Sequence, residues 1–206
     1  MNDKEITLRK REERKKKIFE EFIQRLETAY REFYTWKALR DALKSDENIR
    51  FLITTDLQLF NTIIVSLAFS STFELAKITE TKNIIDEEGN TSISIFYLME
   101  YNLSDYDIRE TVRKLRKFRN KVLGHIDLKT FLDLDNFLRE LDLKYEEIEI
   151  LFEKVVLTAN SIRSIFFFQV DLIGYFQSVK ISCEEDIKFL RKSVDEDVRG
   201  RTQHIS

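Results

Sequence analysis

The chain has 206 residues, long enough to bury a sizeable core in one domain, and it has no proline and only four glycines, which removes the usual interrupters of helices and points to an all-α bundle. A net charge of −3 with 34% charged residues excludes a polycation, so any nucleic-acid surface must be a local patch. One cysteine excludes an internal disulfide framework and fits a reducing compartment, so a cytoplasmic location is expected; one cysteine with two histidines also argues against a zinc site.

Apolar spacing predicts a first helix over about Ile6 to Ser45. Its first third, Arg9 to Lys17, holds seven basic residues and two acidic ones. Such a run is either a solvated helical face or a basic arm that touches RNA or a partner. Beyond it, Ile18, Phe22, Leu26, Ala29, Phe33, Trp36 and Leu43 follow helical spacing as a core or dimer stripe. Residues 45–48 form a break. A second helix is expected from about Glu47 to Thr79, apolar on most sides and therefore central in a bundle. Its charge-free run from Leu57 to Phe73 carries Gln58, Asn61, Ser66 and Ser70 among other polar residues, too many for a membrane span. Glu74 is a candidate partner for a buried cation. Glu80 to Asn90 reads as a loop, followed by a short helix over Ile93 to Tyr101.

A third long helix starts near Ser104 and Asp105 and runs to a stop at Gly124. At about 100° per residue, Ile108, Val112, Leu115, Phe118 and Val122 share its buried face. Arg119 projects into that stripe between Val112 and Leu115, where a guanidinium is costly unless it is paired or lines a site. Lys114, Lys117 and Lys121 lie on the far side and should face water. Six of the nine residues from Arg113 to Lys121 are basic and none is acidic. Arg113, Arg116 and Lys121 are candidate phosphate contacts beside Arg119. Gly124 is a helix stop that accepts positive φ, and it frees His125 to turn back toward Arg119. The other histidine, His204, lies in a polar tail.

After His125, a turn or short helix is expected over Asp127 to Leu134. A long helix follows from Leu141 to about Val170, with Ile148, Leu151, Phe152, Val155, Ala159, Ile162 and Phe166 inward. Residues 165–168 are apolar around more than one face and suggest a subunit contact. Ser182 to Glu185 matches a capping box and predicts a last helix to about Val194, with residues 199–206 as a frayed tail.

The segment LRKFRNKVLGHID, residues 115–127, resembles the signature of the HEPN superfamily: an Arg, a polar residue, a short spacer and a His. It looks most like the abortive-infection, AbiU-type, branch, with weaker similarity of helical pattern upstream over residues 73–78 and 90–95. That resemblance implies a metal-independent endoribonuclease without cofactor, acting as a homodimer with two Arg/His motifs facing each other. Residues 1–206 would then be a single HEPN-like domain, with 1–17 as a basic extension. His125 would be the general acid/base, Arg119 the contact to the phosphate and transition state, and Asn120 a positioning residue. The residue chemistry is compatible. Histidine titrates near neutral pH, and arginine's fork pairs with phosphate oxygens. Some HEPN toxins carry a Tyr two residues after the His that a partner enzyme modifies. Asp127 occupies that position here, so a pairing of that kind is not supported; an antitoxin or sensor of another kind is left open. Three plainer readings stand beside the ribonuclease. In the first, Arg119 pairs with a buried acid while His125 caps the helix. In the second, the chain is a non-catalytic module that binds RNA, nucleotide or a protein. In the third, it is a structural helical partner.

Overall fold

Proline, the strongest helix breaker, is absent, and the first helix runs 43 residues, Asp3–Ser45 (α1), about 65 Å at 1.5 Å per residue. The computed structural model describes residues 3–45, 57–80, 94–95, 106–124 and 140–203. Within them α1 is followed by α2 (Leu57–Ile78), α3 (Tyr106–Phe118), a π-helical turn (Arg119–Gly124), α4 (Tyr145–Ile162), a 3-10 turn (Arg163–Phe166) and α5 (Leu172–Gln203). No strand occurs among the described residues, so the fold is all-α. None of the described helices is long and apolar enough to cross a membrane.

The core forms around the middle of α1. Phe22, Leu26, Ala29 and Phe33 are buried as their spacing predicts, and Phe19, Ile23, Tyr30 and Tyr34 widen the face. Trp36 and Ile18 pack at its margin. Ring contacts fix the helix directions. Trp36 meets Tyr145, Phe33 meets Phe152 and Phe19 meets Phe166, so α4 runs antiparallel to α1. Tyr30 meets Phe176 and the Tyr175 hydroxyl donates to Glu27, so α5 returns parallel to α1. The predicted inward face of α4 is correct: Ile148, Leu151, Phe152, Val155 and Ala159 are buried.

Several expected boundaries differ. The helix expected from Leu141 to Val170 is interrupted twice. Asp142 takes a φ of 44°, and α4 starts at Tyr145 after the Glu147 carboxylate accepts the Lys144 N–H at 2.9 Å. At its other end Phe167 takes a φ of 58°. In a continuing α-helix Phe166 and Phe168 would point about 200° apart. The left-handed Phe167 lets both rings pack on Phe19, at 4.9 and 5.5 Å. The apolar patch at 165–168 is therefore split, with Phe166 in the chain's own core and Ile165 and Phe167 exposed.

The last helix begins ten residues before the expected capping box, and Ser182 and Cys183 sit inside it. Its true cap is Asp171, whose Oδ2 accepts the Gly174 N–H at 3.1 Å, while Asn160 Oδ1 accepts the Leu172 N–H at 3.0 Å. Gly174 makes room for that carboxylate, because a Cβ there would lie 2.9 Å from Oδ2. Asp171→Ala should cost about 1 kcal/mol, a fall in Tm of about 2–4 °C in a thermal melt. Residues 199–203, expected as tail, continue the helix to Gln203. The second helix also departs from expectation. Its last two turns are buried through Ile78, but Ile63 and Val65 nearer its start are exposed. Apolar character licenses burial without compelling it. Its buried hydroxyls are satisfied locally, Thr72 on the Ala68 carbonyl and Thr79 on the Leu75 carbonyl. The expected elements at 47–56, 81–93, 96–101 and 127–134 lie outside the described residues.

Glu149 ties three helices together. It accepts from the Tyr34 hydroxyl at 3.1 Å, Lys37 at 2.5 Å and Lys180 at 3.3 Å. Burial pushes its carboxyl up, but the two ammonium groups outweigh this and hold it below the usual range. A carboxyl depressed in the folded state contributes stability above the unfolded pKa and loses it as pH falls through the folded one. Urea unfolding should therefore show stability declining below about pH 4.5, and Glu149→Gln should lower stability at pH 7 while flattening that decline.

Candidate functional site

The motif helix forms as its pattern predicts. Val112, Leu115 and Phe118 are buried, and Phe118 stacks on Phe69 of α2 with ring centres 5.5 Å apart. The helix does not stay α-helical through the motif. From Arg119 to Gly124 it widens into a π-helical turn, a distortion that recurs at functional sites because it re-aims side chains. The widening begins at the residue that reaches across to α2.

Arg119 is half-buried, its side chain 16% exposed, and one of its terminal nitrogens donates to Glu80. Its Nε and other terminal nitrogen donate to Asn120 Oδ1 at 3.1 and 3.0 Å. Glu80 is only 4% exposed. Arg116 approaches the second carboxylate oxygen of Glu80 at 3.8 Å. Glu80 lies two residues past the end of α2, where the negative end of the helix dipole disfavours an anion. A buried carboxylate there needs cations, and the motif helix supplies two. The candidate partner named from sequence, Glu74, instead bonds Lys77 on its own helix at 2.9 Å. Glu80 was legible only as a loop residue, because nothing local marks an acid after a helix end as buried.

The basic segment is thus partly neutralised by acids from outside it. Arg113 makes a two-point contact with Glu110, at 2.8 and 2.7 Å, on the exposed side. That contact lowers the Glu110 carboxyl and raises Arg113. Lys114, expected in water, is 13% exposed and bridges to Glu147 at 3.0 Å and to the Asp142 carbonyl at 2.7 Å. It pins the motif helix to the start of α4, and Glu147 can serve it while also capping that helix. Lys117, Asn120 and Lys121 are exposed. Of the residues singled out from sequence, the structure brings Arg119, Asn120 and Arg116 together around Glu80, sets Arg113 in a surface pair, and leaves Lys121 on the outside. His125 and Asp127 lie outside the described residues. An arginine that pairs with a buried acid, one of the plainer readings, is what the described residues contain.

The sequence that builds this arrangement matches a family model. The family model for AbiU2, of the HEPN type, matches residues 12–178. The chain belongs to the HEPN AbiU2 family. The matched region runs from within the basic part of α1, through α2, the motif helix and α4, to the first two turns of α5. No curated protein and no solved structure matches the chain. The matched span includes Arg119, the residue against which the buried carboxylate of Glu80 is placed.

Proposed function

We propose that this HEPN module is a metal-independent endoribonuclease of abortive-infection type, acting in the cytoplasm as a homodimer under the restraint of an antitoxin or sensor. The observation that carries the reading is Arg119, whose guanidinium is held by Glu80 and Asn120 at the end of a basic helix, six residues before His125. In the proposed reaction the 2′-hydroxyl of the RNA attacks the adjacent phosphorus and the 5′-oxygen leaves. His125 takes the proton from the 2′-hydroxyl or gives one to the departing 5′-oxygen, and water serves the other oxygen, a role suited to an imidazole. Arg119 meets the charge that grows on the phosphate oxygens, and its anchored fork needs little reorganisation to do so. Asn120 sets the orientation of that fork. Arg116 and Lys121, with Arg113 further along, contact flanking phosphates.

A second reading has its own observation. All three guanidinium nitrogens already have acceptors in Glu80 and Asn120, which is how a purely structural arginine looks. Under that reading the module binds RNA, nucleotide or a protein without cutting. Purified protein incubated with a mixed RNA pool in excess EDTA, beside His125→Ala, decides between them. Cleavage by the wild type alone supports the ribonuclease. Salt-dependent RNA binding without cleavage supports the binding module. Cleavage by both proteins removes His125 from the mechanism.

A further inference from the structure

The first residue of α1 with a described, fully buried side chain is Phe19, so the basic third of the helix stands ahead of the core. Around that helical arm the charges are sorted. Arg9 bridges to Glu13 at 3.7 Å and Lys16 to Glu20 at 3.8 Å, four residues apart in each case. At about 100° per residue these four side chains share one side. Lys10, Arg14 and Lys17 follow the i, i+4, i+7 spacing and fall within about 60° of one another on a different side. That side faces away from the direction in which Phe19, Phe22 and Leu26 enter the core. All three cations are exposed. From Lys10 to Lys17 no acid falls on their stripe, and the next one along it, Glu21, is engaged by Arg25 at 3.2 Å. The chain as a whole is net negative, so this stripe is a local concentration of positive charge set apart from the compensated side.

We infer that Lys10, Arg14 and Lys17 form a phosphate-tracking face that grips single-stranded RNA outside the Arg119 site. The inference rests on the proposed RNA reading for the identity of the polyanion. The arm's composition favours RNA over an anionic membrane. A helix that lies in a lipid interface needs a continuous apolar face, whereas Ile6 and Leu8 are the only apolar residues from Asp3 to Lys17 and point about 200° apart.

The test measures binding of a labelled, uncleavable 2′-O-methyl oligouridylate over a series of salt concentrations, so it reads the arm whether or not the protein cuts RNA. The full chain is compared with Lys10→Gln/Arg14→Gln/Lys17→Gln and with Arg9→Gln/Lys16→Gln. Glutamine keeps the helix propensity close to that of Lys and Arg, and circular dichroism verifies the helix. Each lost contact to single-stranded phosphate removes about 0.7 from the slope of log K against log salt. The triple variant should therefore lose about 2 from the slope, and the double variant much less. An unchanged slope in the triple variant overturns the inference. So does an equal loss in both variants, because it would reflect net charge without a specific face. Binding of wild type, but not the triple variant, to phosphatidylserine vesicles with RNA binding unaltered would also overturn it and assign the face to membrane.

Discussion

Arg119→Ala should lower the free energy of unfolding by about 3 kcal/mol or more, before any effect on catalysis is counted. Removing one partner of a buried ion pair costs about 3–5 kcal/mol because the other charge is left uncompensated. Here the stranded group is Glu80, 4% exposed at the unfavourable end of a helix dipole. Arg116, 3.8 Å from the same carboxylate and 41% exposed, can move in and hold the loss near the lower end of that range. Glu80→Ala should cost less, since Arg119 keeps both contacts to Asn120 and some access to water. The double variant should then be more stable than Arg119→Ala alone, with a coupling energy of about 1–3 kcal/mol in a urea-unfolding cycle. If Arg119→Ala unfolds at the wild-type urea midpoint, the pair contributes nothing to the fold. The consequence for enzymology is direct. Alanine at 119 mixes a folding defect with a chemical one, so lost activity in that variant proves little. Arg119→Lys keeps a charge for Glu80 but gives up the planar fork. It should fold nearly normally and still cleave RNA poorly.

His125→Ala should reduce RNA cleavage by about 10²–10⁴-fold, the usual contribution of a positioned general acid or base. The rate is read with excess EDTA present and with protein in excess over RNA, so that product release does not mask the chemical step. Asp127, two residues on, is proposed to orient the imidazole, and Asp127→Asn should cost less than the loss of His125 itself. A His125→Ala protein that cleaves at the wild-type rate would sink the mechanism, whatever Arg119 does.

The sequence by itself determined the all-α class, the family and the inward faces. Absence of proline favoured long helices such as α1, and the 3.6-residue period of large apolar residues assigned Phe22, Leu26 and Phe33 on α1, and Leu151 and Val155 on α4, to the core. The same period showed that Arg119 sits on an apolar stripe and must have a partner or a task. These features are local, so local pattern carries them. Tertiary structure decided who the partner is. Glu80 is 39 residues away and lies in what reads as a loop, and the packing of α2 on the motif helix, Phe69 against Phe118 included, brings the pair together. It also decided where helices end. A capping-box tetrapeptide at Ser182 was overruled by Asp171 and by Asn160, which reaches the start of α5 from α4, and Phe166 and Phe168 both pack on Phe19 where the left-handed Phe167 ends the 3-10 turn after α4. Lys114 went from water to a bridge with Glu147 for the same reason. A charge's environment is set by the acids that other elements carry to it, and no period along one helix contains them.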